Sequence, residues 1–211
     1  MDNPIDFPDL NAFAQNNYTQ ELNDLDAILN HIASEHFEFK DNIDITNISL
    51  IGHSRGGGIS ILKTSEDSRI KKLITWASVS NFHKRMGTPS EIEQWRKDGV
   101  KYVLNGRTKQ KMPHHFQFYE DFKANEDRLH IELAVKRISI PTLIVHAEGD
   151  PSVDISEAKA LHSWNPNSVL LTITDSNHVF GAHHPYHGDQ LPKALKLVVD
   201  ETVAFIENPN I

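Results

Sequence analysis

Four short, largely apolar runs constrain this chain more than any other feature. They are Ile48-Ser49-Leu50-Ile51, Leu73-Ile74-Thr75-Trp76-Ala77, Leu143-Ile144-Val145-His146 and Val169-Leu170-Leu171-Thr172-Ile173. A strand with one wet face alternates apolar and polar residues, whereas a strand covered on both faces does not. Helical patterns separate the runs. Leu22, Leu25, Leu29 and Ile32 recur at three- and four-residue spacing in a helix opening near Asn17. A glycine-opened segment, Gly56 to Leu62, follows the first run. Ala158, Leu161 and Trp164 sit behind a cap pair of Asp154 and Glu157. Leu195, Val198, Val199, Thr202, Val203 and Ile206 stripe a last helix from about Leu191. Buried runs alternating with helices predict an α/β class: one domain over 1–211, a mostly parallel sheet with helices on both faces.

Two stretches break this rhythm. Residues 1–17 show no period and read as loop. Residues 82–138 are too long for a simple crossover and carry Trp95, Tyr102, Phe116, Phe118, Tyr119 and Phe122. With Thr88-Pro89-Ser90-Glu91 as a helix start, they read as a helical cap or lid inserted over one end of the sheet.

Composition excludes several classes. The 211 residues hold 21 Lys and Arg against 29 Asp and Glu, a net charge of −8, which disfavours a nucleic-acid partner. There is no cysteine, so no disulfide scaffold, thiolate metal site or cysteine nucleophile. No run approaches the ~18 apolar residues of a membrane span. The start, MDNPIDFPDLNAF, lacks a basic region and a long apolar stretch, so no secretory leader is read and a cytoplasmic location is expected.

The chemistry-bearing motif is Gly52-His53-Ser54-Arg55-Gly56, between a buried strand and a glycine-opened helix. G-x-S-x-G in this context forces a sharp strand-to-helix turn that pushes the serine hydroxyl outward. The backbone N–H of Arg55 then points where an oxyanion would form. Small residues two before and two after Ser54 let the chain pass close to itself. The alternative is an ordinary glycine-rich turn with a capping serine.

A serine nucleophile needs a base, and the base an orienting acid. Here the order should be Ser, acid, His, each just after a strand. Asp150 follows the third run, with Glu148 a weaker rival and Asp154 a helix cap; His178 follows the fourth, 28 residues on. Asp175, three before His178, could be a second orienter but reads more simply as a cap of the loop. His53, Trp95, Tyr102 and Phe180 are candidate substrate contacts, with Phe180 more simply a wall of the base loop. Arg55 and Arg107 could meet a substrate carboxylate but read more simply as surface residues. The pairs His114-His115 and His183-His184, with His187, lack metal-ligand spacing, so no metal and no cofactor are expected.

At GHSRGG, PTLIVHAEGDPSVDISEA and ITDSNHVFG the chain resembles the α/β-hydrolase superfamily, in particular small dienelactone-hydrolase-like and prolyl-oligopeptidase-like esterases. The resemblance runs from about residue 18 onward. It implies a Ser54–Asp150–His178 triad without a cofactor. True dienelactone hydrolases use a cysteine nucleophile, so that activity is not implied. The insertion resembles that of cinnamoyl and feruloyl esterases. It also implies that four strands and a helix, with a His-Gly loop giving a second oxyanion donor, should precede residue 18. The chain thus looks like the C-terminal two-thirds of such an enzyme. That arrangement implies an open apolar edge at the Ser54 strand, a homodimer or aggregate through it unless residues 1–17 cover the edge, and turnover weakened about 10²–10³-fold by the lost donor.

The leading expectation is a serine hydrolase of a small-molecule carboxylic ester or thioester, acting through an acyl-enzyme, with no membrane partner. Two alternatives stay open: a prolyl-oligopeptidase-like peptidase, and a weak or inactive fragment serving as a binding or assembly module.

Overall fold

The computed structural model describes residues 7–106 and 108–208, so Arg107 lies outside the described residues. The chain divides into two compact units. One takes the residues up to Asp24 with His83–Leu129; the other takes Leu25–Phe82 with His130 onward.

The second unit holds the sheet. Its strands are β1 (Ile48–His53), β2 (Ile70–Trp76), β5 (Thr142–Ala147) and β6 (Val169–Ile173), in the order β1-β2-β5-β6, all parallel. The four apolar runs are these four strands, and the sheet is the mostly parallel one expected. β5, buried along its whole length, is internal; β1 pairs only with β2 among the described residues, leaving Ile51 44% exposed.

Alternation along the strands sends side chains to two helical layers. Ile74, Leu143, Val145, Ala147 and Ile173 form one core cluster with Phe180 and with Val198 and Phe205 of α8 (Lys193–Glu207). The Trp76 indole N–H donates to Thr202 of the same helix at 3.1 Å. On the other face Leu73, Thr75, Thr142 and Ile144 meet Ile61 of α3 (Arg55–Glu66), Val135 of α6 (Ile131–Arg137) and Leu161 of α7 (Ile155–Trp164). Fully burying a side chain of this size contributes about 1.5–3 kcal/mol. α7 is capped by Asp154, whose carboxylate accepts the Ser156 N–H at 2.8 Å. Glu157 does not act as expected of a cap partner alone: its carboxylate accepts the Ser80 N–H at 2.5 Å.

The first unit has its own aromatic core. Residues 10–15, expected as loop, form a short helix α1 (Leu10–Gln15), capped by Asp9 on the Ala12 N–H. A six-residue helix is too short for its period to be read. α2 (Tyr18–Ile32) follows and supplies Tyr18, edge-on to Phe118 at 4.7 Å. Within 83–129, α4 (Pro89–Asp98) opens on the expected Thr88, in a reciprocal capping box with Glu91, and ends at Gly99 with φ 72°. An antiparallel hairpin of β3 (Val100–Leu104) and β4 (Lys111–His115) comes next, then α5 (Gln117–Ala124). This segment is therefore not purely helical. α6, within the 82–138 stretch, belongs to the sheet unit. Among the described residues no helix is long and apolar enough to cross a membrane.

Candidate active site

All three triad candidates lie in the sheet unit. β1 ends at His53, opposite Trp76 on β2, and α3 begins at Arg55. Ser54 is the whole turn between them, with φ 56° and ψ −122°. Such a conformation in a residue other than glycine costs on the order of 1–3 kcal/mol and persists only when its surroundings hold it. They do: the Ser54 N–H donates to Trp76 O at 2.8 Å, and its carbonyl accepts from Gly57 at 3.0 Å and Val79 at 3.3 Å.

The two motif glycines are not equivalent. A Cβ on Gly52 would collide with the Gly56 carbonyl and the Ser60 hydroxyl, whereas one on Gly56 would meet nothing within 4 Å. The expectation that both must be small is corrected: close passage is required at Gly52 and, one residue beyond the motif, at Gly57, where a Cβ would lie 2.5 Å from Ser78 Oγ.

Ser54 makes no capping bond with its side chain. Its Oγ lies instead 3.0 Å from His178 Nε2, and His178 Nδ1 lies 2.7 Å from Asp150 Oδ2. A carboxylate only accepts, so Nδ1 carries the proton and Nε2 is left to accept from Ser54. The rival Glu148 has no part in this chain of contacts; its backbone N–H joins Ile173 O at 2.9 Å. Asp175, with φ 50°, opens the base loop.

Asp150 is 8% exposed. Burial pushes its carboxyl up, but is outweighed by hydrogen bonds from the Val153 N–H, His178 and the Ser152 N–H, which hold it below the usual carboxylate value. Both backbone donors reach Oδ1, at 2.8 Å from Ser152 and 2.9 Å from Val153. The loop carrying His178 is tied by Asn177, whose Oδ1 accepts the N–H groups of Val179 and Gly181 at 3.2 and 3.0 Å.

The other candidates fall differently. His53 donates from Nε2 to the His178 carbonyl at 2.8 Å, with ring centroids 4.7 Å apart, so its donor secures the base loop. Partial desolvation of the ring lowers its pKa below the usual imidazole value, with the charge of His178 adding to that against the hydrogen bond to the His178 carbonyl. Phe180 is 1% exposed and packs edge-on to Trp76 in the core, which leaves it no surface for a substrate. Trp95 and Tyr102 belong to the other unit. Trp95 is 2% exposed, donating to His114 O at 2.8 Å, with Lys101 Nζ 3.7 Å above its ring; Tyr102 is 61% exposed on β3. Among the described residues no three His, Asp or Glu side chains are grouped as a metal would require. Sequence reading missed His146, fully buried on β5 and 3.5 Å from Asp150 Oδ2. It also missed the loop-binding role of Asn177.

Solved structures match this arrangement of strands and helices. The fold is that of the α/β-hydrolases. A putative hydrolase from Agrobacterium vitis S4 is 19% identical, with 93% of this chain and 71% of that one covered and a TM-score of 0.67. Est1E from Butyrivibrio proteoclasticus is 20% identical, with 92% and 72% covered and a TM-score of 0.60; it has also been solved with ferulic acid bound. The esterase domain of a Rhodothermus marinus protein is 18% identical over 77% of this chain, with a TM-score of 0.50. The chain spans 60% of that domain's length. No family model and no curated protein matches the chain.

Proposed function

We propose that the protein is a serine hydrolase of carboxylic esters working through an acyl-enzyme on Ser54. The observation that carries this is the contact series Ser54 Oγ to His178 Nε2 at 3.0 Å and His178 Nδ1 to Asp150 Oδ2 at 2.7 Å.

Neutral His178 takes the Ser54 proton as Oγ attacks the ester carbonyl carbon. Asp150 stays ionised beside the imidazolium and keeps its tautomer fixed. The carbonyl oxygen becomes an oxyanion near the Arg55 N–H, at the N-terminus of a 12-residue helix whose dipole favours negative charge there. Collapse breaks the bond to the alcohol, which leaves with the proton from His178. Water, deprotonated by His178, then attacks the acyl carbon; the carboxylic acid departs and Ser54 recovers its proton. The fold shared with Est1E, a protein solved with ferulic acid, supports an ester of an aromatic or other small carboxylic acid as the substrate class.

A fluorophosphonate probe tests the reading, because it needs an activated serine but not full turnover. Labelling at Ser54, lost in His178→Ala, is expected, together with release of p-nitrophenol from p-nitrophenyl esters. A folded chain that does not label refutes it. Cleavage of a prolyl anilide in preference to the ester would replace it with the peptidase reading.

A further inference from the structure

His146 lies on β5, four residues before Asp150, and is 0% exposed. The reaction above gives it no part. Its Nε2 is 2.8 Å from the Val153 carbonyl, which can only accept, so Nε2 carries the ring proton. The same nitrogen is 3.5 Å from Asp150 Oδ2, the oxygen that accepts from His178. Its Nδ1 is buried without a hydrogen-bond partner.

That orphaned nitrogen is the informative atom. Buried polar atoms are ordinarily bonded. A leucine or phenylalanine would fill much of the same space and leave nothing unsatisfied on the ring. What imidazole supplies, and an apolar side chain does not, is one N–H directed at Val153 O and flanking Asp150 Oδ2. Val153 is the far end of the turn that holds the acid. Its N–H donates to Asp150 Oδ1 at 2.9 Å while its carbonyl accepts from His146. One residue is therefore clamped between the ring and the carboxylate.

We propose that His146 is a positioning residue: it fixes the 150–153 turn and so holds the Asp150 carboxylate in line with His178. The inference rests on the triad reading above and acts on the reaction only through Asp150.

The experiment compares wild type with His146→Leu, which removes the donor, and His146→Gln, whose amide N–H can replace it. Each is assayed for melting temperature, probe labelling, kcat and KM on a p-nitrophenyl ester, and the low-field proton resonance of His178 Nδ1–H. The expected result is a folded His146→Leu with kcat reduced on the order of ten- to a hundredfold, KM within about twofold, and that resonance broadened or lost. His146→Gln should keep the resonance and most of kcat. A folded His146→Leu with wild-type kcat and resonance overturns the proposal, as does a His146→Gln no better than His146→Leu. Should His146→Leu fail to fold, nitrogen-15 histidine spectra of the wild type decide: the Nε2–H tautomer at His146 supports the proposal and the Nδ1–H tautomer overturns it. A folded wild type that does not label at Ser54 refutes the triad reading, and this inference with it. A labelled wild type beside an unaffected leucine variant refutes this inference alone.

Discussion

Replacing Asp150 by asparagine changes one atom and should reverse the polarity of the site. The carboxylate uses Oδ1 for two backbone donors, Ser152 at 2.8 Å and Val153 at 2.9 Å, and Oδ2 for His178. Asparagine has one carbonyl oxygen, and those two N–H groups claim it. Its NH2 then faces His178 and donates to Nδ1. The imidazole proton must move to Nε2, where it meets Ser54 Oγ at 3.0 Å and cannot accept a proton. The opposite flip would set the NH2 against two buried N–H groups, each costing about 1–3 kcal/mol when left unsatisfied. A wrong tautomer in such a triad costs about 10⁴ in kcat, or about 5 kcal/mol of barrier at roughly 1.36 kcal/mol per decade. Because both backbone bonds survive, the variant should stay folded, with a melting temperature lowered only by the lost charge and by the new NH2 facing the His146 Nε2–H, which lies 3.5 Å from Oδ2 in the wild type. The assay is kcat/KM on a p-nitrophenyl ester with parallel melts. A folded Asp150→Asn that loses less than tenfold would refute the assignment of Asp150 as the acid.

Gly52→Ala should abolish probe labelling and lower the melting temperature, because its Cβ has the Gly56 carbonyl in its way; Gly56→Ala, with open space, should label normally and gain up to about 1 kcal/mol of helix stability in chemical denaturation. Asp67 accepts from Arg69 at 2.9 and 2.6 Å, which holds its pKa down at about 2 against 3.8. A depressed carboxyl stabilises the fold above its unfolded value, so a contribution of up to about 2 kcal/mol should be present above about pH 4 and vanish as the pH falls from 3.8 towards 2; urea melts of wild type and Asp67→Asn across that range should converge at the acid end. His53 has the opposite sense. Partial desolvation of the ring against the base loop keeps its folded pKa below 6.5, so the unfolded chain takes up the proton first and stability should drop as the pH falls below 6.5. His53→Gln, which can still donate to the His178 carbonyl, should flatten that drop in melts between pH 5 and 8, and an unchanged slope would remove the desolvation argument.

The elements that carry the proposed reaction are legible because each leaves a local mark. β5 is buried along its length because both its faces are covered, and its apolar stretch Leu143-Ile144-Val145 carries the mark of such a strand. The strained turn at Ser54 needs a close-packed glycine at 52, and the motif contains one. Asp150 and His178 follow strand ends, so their order along the chain suffices to propose them. The hairpin β3–β4 was hidden for the converse reason. Val100–Leu104 includes three exposed apolar residues, Tyr102, Val103 and Leu104, and its partner contains Pro113, so neither strand alternates.

What stayed hidden at the site shares one property: its meaning lies in a backbone atom. His53 bonds the carbonyl of His178, Asn177 bonds the N–H groups of Val179 and Gly181, and His146 bonds the carbonyl of Val153. A backbone partner exerts no demand on residue type, so no second letter in the sequence signals the contact. Side-chain pairs behave otherwise: a serine, an acid and a histidine at strand ends advertise one another by chemistry. The orienting contacts around the proposed triad therefore show themselves only in the folded chain. Two of the three are histidines that sequence spacing alone assigns to substrate binding or to the core, while the distances place one on the base loop and the other on the acid's turn.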